Sequence, residues 1–121
     1  MYKIKIYKDA QGNQPIKEYL TKLALKTDKD SRVKLSKIDY YFEVLRKHGT
    51  RAGEPFVKHI EGDVWELRPL SDRFFFFYWQ DDIFILLHYF VKKSKKAPSK
   101  EIKQAIQNMK DFIIRSKADE Q

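Results

Sequence analysis

The strongest indication of the fold is the apolar, aromatic-rich segment VWELRPLSDRFFFFYWQDDIFILLHYFV, which spans residues 64–91. Polar breaks at residues 69–72 and 81–82 divide it into three apolar runs of strand length. Aromatic and β-branched runs that are separated by turn residues predict consecutive antiparallel strands. The middle run, residues 74–77, contains four phenylalanines without polar alternation. We therefore expect both faces of that strand to be covered and the strand to be central.

The flanking segments predict three helices and two more strands. Residues 2–8 alternate between lysines and the apolar residues Tyr2, Ile4 and Ile6, which is the period of a half-buried strand. Helical spacing predicts one helix from Pro15 to about residue 26, a second up to about residue 47 and a last one after residue 99. A short strand is expected at residues 56–60. The order β–α–α–β–β–β–β–α predicts one α+β domain over residues 1–121.

Within this architecture, an N-terminal strand and a helical hairpin pack on a small, mostly antiparallel sheet, and a helix follows the sheet. Local signals refine the boundaries. Asn13 is a plausible cap for the first helix, aspartates in residues 27–31 are candidate caps for the second, and Gly49 suits its end.

The charge is positive and unevenly distributed. The chain has 25 Lys and Arg against 17 Asp and Glu, a formal net charge of +8. Residues 92–100 contain five lysines and no acid. Such an excess of positive charge suggests an anionic partner, and nucleic acid is the first candidate. Many small proteins, however, carry a similar excess for solubility alone.

Composition also excludes several classes of protein. The chain has no cysteine, so disulfides and thiolate zinc sites are impossible. Charges interrupt the first twenty residues, which excludes a signal-peptide core there. The longest apolar run, residues 74–79, is too short to cross a bilayer. We expect a small, soluble, cytoplasmic protein without a membrane partner.

The candidate site begins with Glu66 and Arg68, which share one face of their strand. The simplest reading is a salt bridge at a sheet edge. Arg73 opens the next strand, so a hairpin would bring Arg68 and Arg73 together without an obvious acidic partner. Paired guanidiniums match phosphate oxygens, and Asp72 is the residue that would otherwise neutralise one of them.

Histidines add a weaker signal. His88 interrupts an apolar strand, where a hydrogen-bonded core role is the commoner one. Strand alternation would give it a face shared with Leu86 and Phe90, with access to Lys92. The three histidines of the chain lack metal-ligand spacing, and no nucleophile elbow, phosphate loop or dinucleotide motif is present. Neither a metal nor a cofactor is expected.

Residues 56–106 resemble a known family. They contain a lysine, a W-E-L-R strand, an arginine-led hydrophobic strand, an L-H-x-F strand and K-K-S-x-K-x-P before a helix. These elements, in this order, are similar to the RelE/ParE superfamily of bacterial toxins, in its HigB-like, phage Gp49-related branch. The resemblance implies a toxin of a type II toxin–antitoxin system that cleaves mRNA on the translating ribosome without a metal, by attack of a 2′-hydroxyl on the adjacent phosphate.

The resemblance also implies roles for individual residues. Arg73 and Arg68 would contact the scissile phosphate, and Lys92 and Lys93 would stabilise the transition state or supply the acid. Glu66 stands where RelE itself has a lysine, so it would be the base or orient Arg68. The remaining implied residues are His88 as another acid or base, and Lys58, Lys95 and Lys96 along the RNA backbone. The expected partners are mRNA, the ribosome and a HigA-like helix-turn-helix antitoxin.

Two other functions fit the same features. ParE-type members share the fold and inhibit DNA gyrase without cutting RNA. A non-catalytic module that binds RNA or protein on the same fold is the third reading. The W-E-L-R and LLHYFVKK segments favour the nuclease.

Overall fold

A computed structural model describes residues 1–95 and 98–119. The elements have the predicted order and confirm the α+β class. The strands are β1 (Lys3–Ile6), β2 (Val57–Glu61), β3 (Val64–Leu67), β4 (Asp72–Gln80) and β5 (Ile83–Val91). The helices are α1 (Pro15–Leu25), α2 (Lys29–His48) and α3 (Ser99–Asp119), with a short 3₁₀ helix, Gly49–Ala52, after α2.

The five strands form one sheet in the order β1-β5-β4-β3-β2. Neighbours from β2 to β5 are antiparallel, as successive hairpins require, whereas β1 runs parallel to β5 along its outer edge. The middle position of β4 confirms that residues 74–77 form a central strand. All four phenylalanines of this run are buried.

Helices cover both faces of the sheet. The hairpin of α1 and α2 packs on one face around Ile38, Leu45, Phe74 and Phe76. The helix α3 covers the other face around Phe75, through apolar side chains at helical spacing: Ile102, Ala105, Ile106, Met109, Phe112 and Ile113. Alternation along β4 supplies both cores, because successive side chains of a strand point to opposite faces.

Polar residues fix the ends of the helices. Asp28 caps α2 by accepting a hydrogen bond from the Ser31 backbone N–H at 3.0 Å, and this bond lowers the pKa of its carboxyl. Gly49 follows α2 with φ +61°, as expected for a residue that ends a helix. The cap predicted for α1 is wrong. Gln14 occupies that position and makes no capping hydrogen bond, because its Nε2 donates to Ile6 O at 3.2 Å. Asn13 belongs to the preceding turn, where its backbone N–H donates to Asp9 Oδ1 at 2.8 Å.

One irregularity changes which residues of β5 share a face. Phe75 lies opposite His88 and Phe76 opposite Leu86, so Leu87 is an extra residue in β5. An extra residue of this kind is a β-bulge, which shifts the alternation of all the side chains beyond it. The expectation that His88 and Leu86 share a face is therefore wrong. Leu86 packs beneath the helical hairpin, whereas His88 lies on the side of α3.

Candidate functional site

The candidate site is built around the buried side chain of Glu66. The pleat of β3 turns Trp65 and Leu67 toward the helical hairpin and Glu66 toward the opposite face. Glu66 Oε1 lies 3.3 Å from Arg68 Nε and 3.7 Å from Arg73 Nε. The expectation of paired arginines without an acidic partner is therefore wrong, because Glu66 is the partner of both.

Arg73 is held in place by its own loop as well as by Glu66. Its Nη1 donates to the carbonyl oxygens of Leu70 and Asp72 at 2.7 and 2.9 Å. Its side chain is 10% exposed, against 23% for that of Arg68. Neither Nε makes a hydrogen bond of good geometry within the described residues. The ring of contacts fixes the orientation of the Arg73 guanidinium.

Burial shifts the ionisation of this cluster. Desolvation raises the pKa of Glu66 above its ordinary value of 4.5, and the positive charges of Arg73 and Arg68 offset part of the rise. Desolvation also lowers the pKa of Arg73, with Glu66 acting in the opposite direction. The carboxylate is therefore a better proton acceptor than an exposed glutamate at the same pH.

Lysines extend the positive charge around the two arginines. Lys58 of β2 lies directly opposite Glu66 in the sheet. At the exit of β5, the Lys92 backbone N–H donates to Ser71 O at 2.8 Å, which ties this segment to the loop before β4. Lys93 and Lys95 follow as exposed residues, and the predicted Lys96 lies outside the described residues. We refer to Lys58, Arg68, Arg73, Lys92 and Lys93 as the basic end.

The third histidine of the chain is not part of this arginine cluster. His88 is on the same face as Glu66, but Phe75 stands between them in the sheet register. Its Nε2 lies 2.6 Å from Glu101 Oε2 at the beginning of α3. The sequence pattern gave no indication of this partner, because no local spacing relates residues on a strand and on the following helix.

Asp72 belongs to the opposite face of the sheet and does not neutralise an arginine. Its fully buried side chain accepts a hydrogen bond from Tyr19 Oη at 2.7 Å and lies 3.0 Å from Lys34 Nζ. The Tyr19 ring stacks on Tyr89 with 4.5 Å between centroids. Because Asp72 and Arg73 are adjacent in β4, strand alternation sends their side chains to opposite faces. The helical hairpin thus anchors the residue that precedes Arg73.

Comparison with known proteins identifies the family of this chain. The family model described as Phage derived protein Gp49-like (DUF891) matches residues 25–110. The chain belongs to this family. It is part of the RelE/ParE-like toxin superfamily, as the sequence resemblance predicts. No curated protein matches the chain.

The Gp49-like region extends from the end of α1 into α3 and contains every residue of the basic end. The family match identifies a toxin family, and toxins of this superfamily are paired with an antitoxin. Within the described residues, no three His, Asp or Glu side chains are grouped to hold a metal ion. The described helices also include none with the length and apolarity to span a membrane.

Proposed function

We propose that this Gp49-like protein is a metal-independent endoribonuclease, the toxin of a HigB-like toxin–antitoxin pair, which cuts mRNA on the translating ribosome. The observation that supports the proposal is the pair of guanidiniums of Arg68 and Arg73, both within 3.7 Å of one Glu66 oxygen and flanked by lysines. Guanidiniums fixed in this way are suited to a phosphate whose charge increases during the reaction.

The proposed reaction needs no group from outside the RNA and the protein. The ribose 2′-oxygen attacks the adjacent phosphorus, and the bond from phosphorus to the 5′-oxygen of the next nucleotide breaks. The products are a 2′,3′-cyclic phosphate and a 5′-hydroxyl. One proton passes from the 2′-hydroxyl to solvent water and one is delivered to the departing 5′-oxygen, so protons balance. Arg73 and Arg68 stabilise the pentacoordinate phosphate.

Glu66 acts in this proposal by holding the two arginines. Its side chain is only 5% exposed and its Oε1 is close to both guanidiniums, which suits orientation better than direct proton transfer from a bulky substrate. Lys92 lies at the same end of the sheet and carries the charge that stabilises the transition state or the proton for the leaving oxygen. Lys93, Lys58 and Lys95 bind the RNA backbone.

The position of the basic end supports an RNA partner. Strands β3 and β4 and the segment after β5 all bring cations to one end of the sheet. A helix-turn-helix antitoxin that blocks this end is the expected protein partner, and the cytoplasm is the proposed place of action.

The decisive experiment is single-turnover cleavage of mRNA bound to purified ribosomes. Primer extension would map the cuts, and end-labelling would identify the new termini. We expect a cyclic phosphate and a 5′-hydroxyl, and no cut where the attacking 2′-hydroxyl is replaced by hydrogen. Arg73→Ala should slow cleavage by about 100-fold or more. Arg32→Ala, an exposed arginine on α2, is the matched control and should cleave normally.

The alternatives give different results in the same preparation. Inhibition of gyrase with intact mRNA would replace the nuclease by a ParE-like activity. Inertness in both assays would favour a binding module. Termini with a 5′-phosphate would contradict 2′-hydroxyl attack even if cleavage occurred.

A further inference from the structure

A cavity of about 370 Å³ lies at the end of the sheet opposite the basic end. It faces the side of the helical hairpin and borders the short 3₁₀ helix at Thr50. Four aromatic side chains and two carboxylates line it: Tyr2, Trp65, Tyr78, Phe84, Asp63 and Asp82. We refer to these six residues as the acidic–aromatic cavity.

The aromatic walls are held by the sheet. The buried ring of Phe84 lies 4.9 Å from that of Tyr2 and 5.6 Å from that of Tyr78, measured between centroids. The Asp82 backbone N–H donates to Tyr78 Oη at 3.2 Å, which ties this half-exposed ring to the turn between β4 and β5. Trp65 comes from β3 on the same face. The cavity therefore presents aromatic surfaces on a rigid support.

The two carboxylates lack cationic partners. Asp63 and Asp82 are exposed in the β2–β3 and β4–β5 turns, and neither makes an ion pair within 4.0 Å in the described part of the chain. The buried carboxylates of Glu66 and Asp72 are paired with Arg or Lys of the same chain, whereas Asp63 and Asp82 remain available to a cation from outside the chain.

We propose that the acidic–aromatic cavity binds an arginine side chain of a partner protein. Aromatic faces attract cations, and the planar guanidinium stacks on rings while its edges donate to carboxylates. A lysine ammonium is more strongly hydrated and does not stack, so arginine is the better match. RNA is excluded as the occupant, because Asp63 and Asp82 would repel its phosphates. This inference does not depend on the nuclease activity.

Nearby groups set the conditions for the test. His59 packs edge-on against the outside of Trp65 at 5.1 Å, and its Nε2 lies 2.7 Å from Gly62 O. Because the carboxylates of the cavity are exposed and salt screens their charge, the measurement requires low salt.

The probe is the tripeptide acetyl-Gly-Arg-Gly-amide, with the Lys and Gln tripeptides as comparisons. The indole N–H signal of Trp65 in a nitrogen–proton NMR spectrum is the reporter, and a Trp79→Phe variant assigns it because the chain has two tryptophans. We expect saturable shifts with a dissociation constant on the order of 1 mM for the arginine peptide. Binding of the lysine peptide should be weaker, and the glutamine peptide should leave the signal unchanged.

The turn between β4 and β5 provides a matched pair of variants. Asp81 and Asp82 both have positive φ, at 52° and 60°, but only Asp82 lines the cavity. Glycine suits both positions, so Asp82→Gly and Asp81→Gly remove equal charge without damage to the fold. Asp82→Gly should weaken arginine binding about fivefold, and Asp81→Gly should not change it.

Three results would overturn the proposal. They are the absence of Trp65 shifts at tens of millimolar peptide, equal binding of the lysine or glutamine peptide, and equal losses in the two glycine variants. A loss confined to Asp82→Gly, repeated in Asp63→Asn, supports it. None of these outcomes depends on whether the basic end cleaves RNA.

Discussion

The two ends of the sheet differ in the sign of their charge and in how their carboxylates are paired. At the basic end, Glu66 is buried against Arg68 and Arg73, and lysines surround the cluster. At the other end, the carboxylates of Asp63 and Asp82 stand in exposed turns beside aromatic rings without ion pairs among the described residues. A single strand connects the two environments, because Arg73 near the start of β4 lies at one and Tyr78 near its end lies at the other.

A small, mostly antiparallel sheet can carry opposite charges at its two ends. In a run of consecutive antiparallel strands, every second connection lies at the same end of the sheet. Residues 61–63 and 81–82 therefore lie at one end, and residues 69–72 and 92–95 lie at the other. The net charge of +8 is therefore a poor description of the surface that any partner meets. A polyanion and a cationic side chain would each find a matching end.

The largest effect should come from reversing charge at the basic end. We expect Lys92→Glu with Lys93→Glu to weaken binding of single-stranded RNA by about 100-fold at low salt, because two phosphate contacts become repulsive. Fluorescence anisotropy over a range of salt concentrations measures this, and the slope of log affinity against log salt should decrease by about 1.4.

A matched double variant tests whether location matters more than total charge. Lys22→Glu with Lys26→Glu makes the same change on exposed positions of and just beyond α1. It should weaken RNA binding far less. Equal losses in the two double variants would contradict a localised RNA surface.

The next effect concerns the support of the acidic–aromatic cavity. Gly49 has φ +61°, and a Cβ added there would lie 2.8 Å from the Tyr2 ring. We expect Gly49→Ala to lower the free energy of unfolding by about 2 kcal/mol, from backbone strain and the displaced ring. Urea denaturation measures the change. Gly12→Ala shares the positive φ, +87°, but meets no atom within 4 Å, so it should cost less.

A pH series distinguishes burial from ion pairing at Glu66. Because burial raises the pKa of Glu66 in the folded protein, the folded state binds this proton more tightly than the unfolded chain does. Its stabilising contribution is complete below the ordinary value of 4.5 and is lost as the pH rises through the raised value.

The glutamine of the Glu66→Gln variant cannot ionise. As the pH increases from 4.5, the free energy of unfolding of this variant should therefore rise relative to that of the original protein. The slope is at most about 1.4 kcal/mol per pH unit for one group. Parallel urea titrations of both proteins measure it. A slope of opposite sign would mean that Arg73 and Arg68 outweigh burial.

The smallest effect should be a gain in stability at the far end. Asp82 has a left-handed backbone with φ 60°, which glycine adopts without strain. The greater freedom of glycine in the unfolded chain offsets part of this benefit. We expect Asp82→Gly to raise the unfolding free energy by about 0.5 kcal/mol, measured by urea denaturation. A clear loss would show that the Asp82 side chain supports the fold.

Patterns within single strands predicted most of the fold. The unbroken phenylalanines of residues 74–77 identified the central strand, and alternation in W-E-L-R placed Glu66 and Arg68 on one face. The pairing of β1 with β5 was outside the reach of such patterns, because the strands are separated by most of the chain. The bulge at Leu87 was also hidden, since an inserted apolar residue leaves an apolar run unchanged.

The sequence predicted which residues gather at the candidate site better than it predicted which side chains contact each other there. Arg68, Arg73 and Lys92 do meet at one end of the sheet, as sequential hairpins require. The position of Glu66 between the arginines depends on side-chain directions across two strands, and the attachment of Asp72 to Tyr19 and Lys34 depends on helix packing. The acidic–aromatic cavity combines residues from four separate segments, so no local motif could indicate it.

The parallel pairing of β1 has a kinetic consequence. Its contacts run from Lys3 with Ile83 to Ile6 with Leu86, so each partner comes 80 residues later in the chain. Contacts so distant in sequence form late in folding, because a long loop must close first. During synthesis, β2 to β5 can assemble as successive local hairpins, whereas β1 waits until β5 has emerged. The first strand to be made is thus the last to join the sheet.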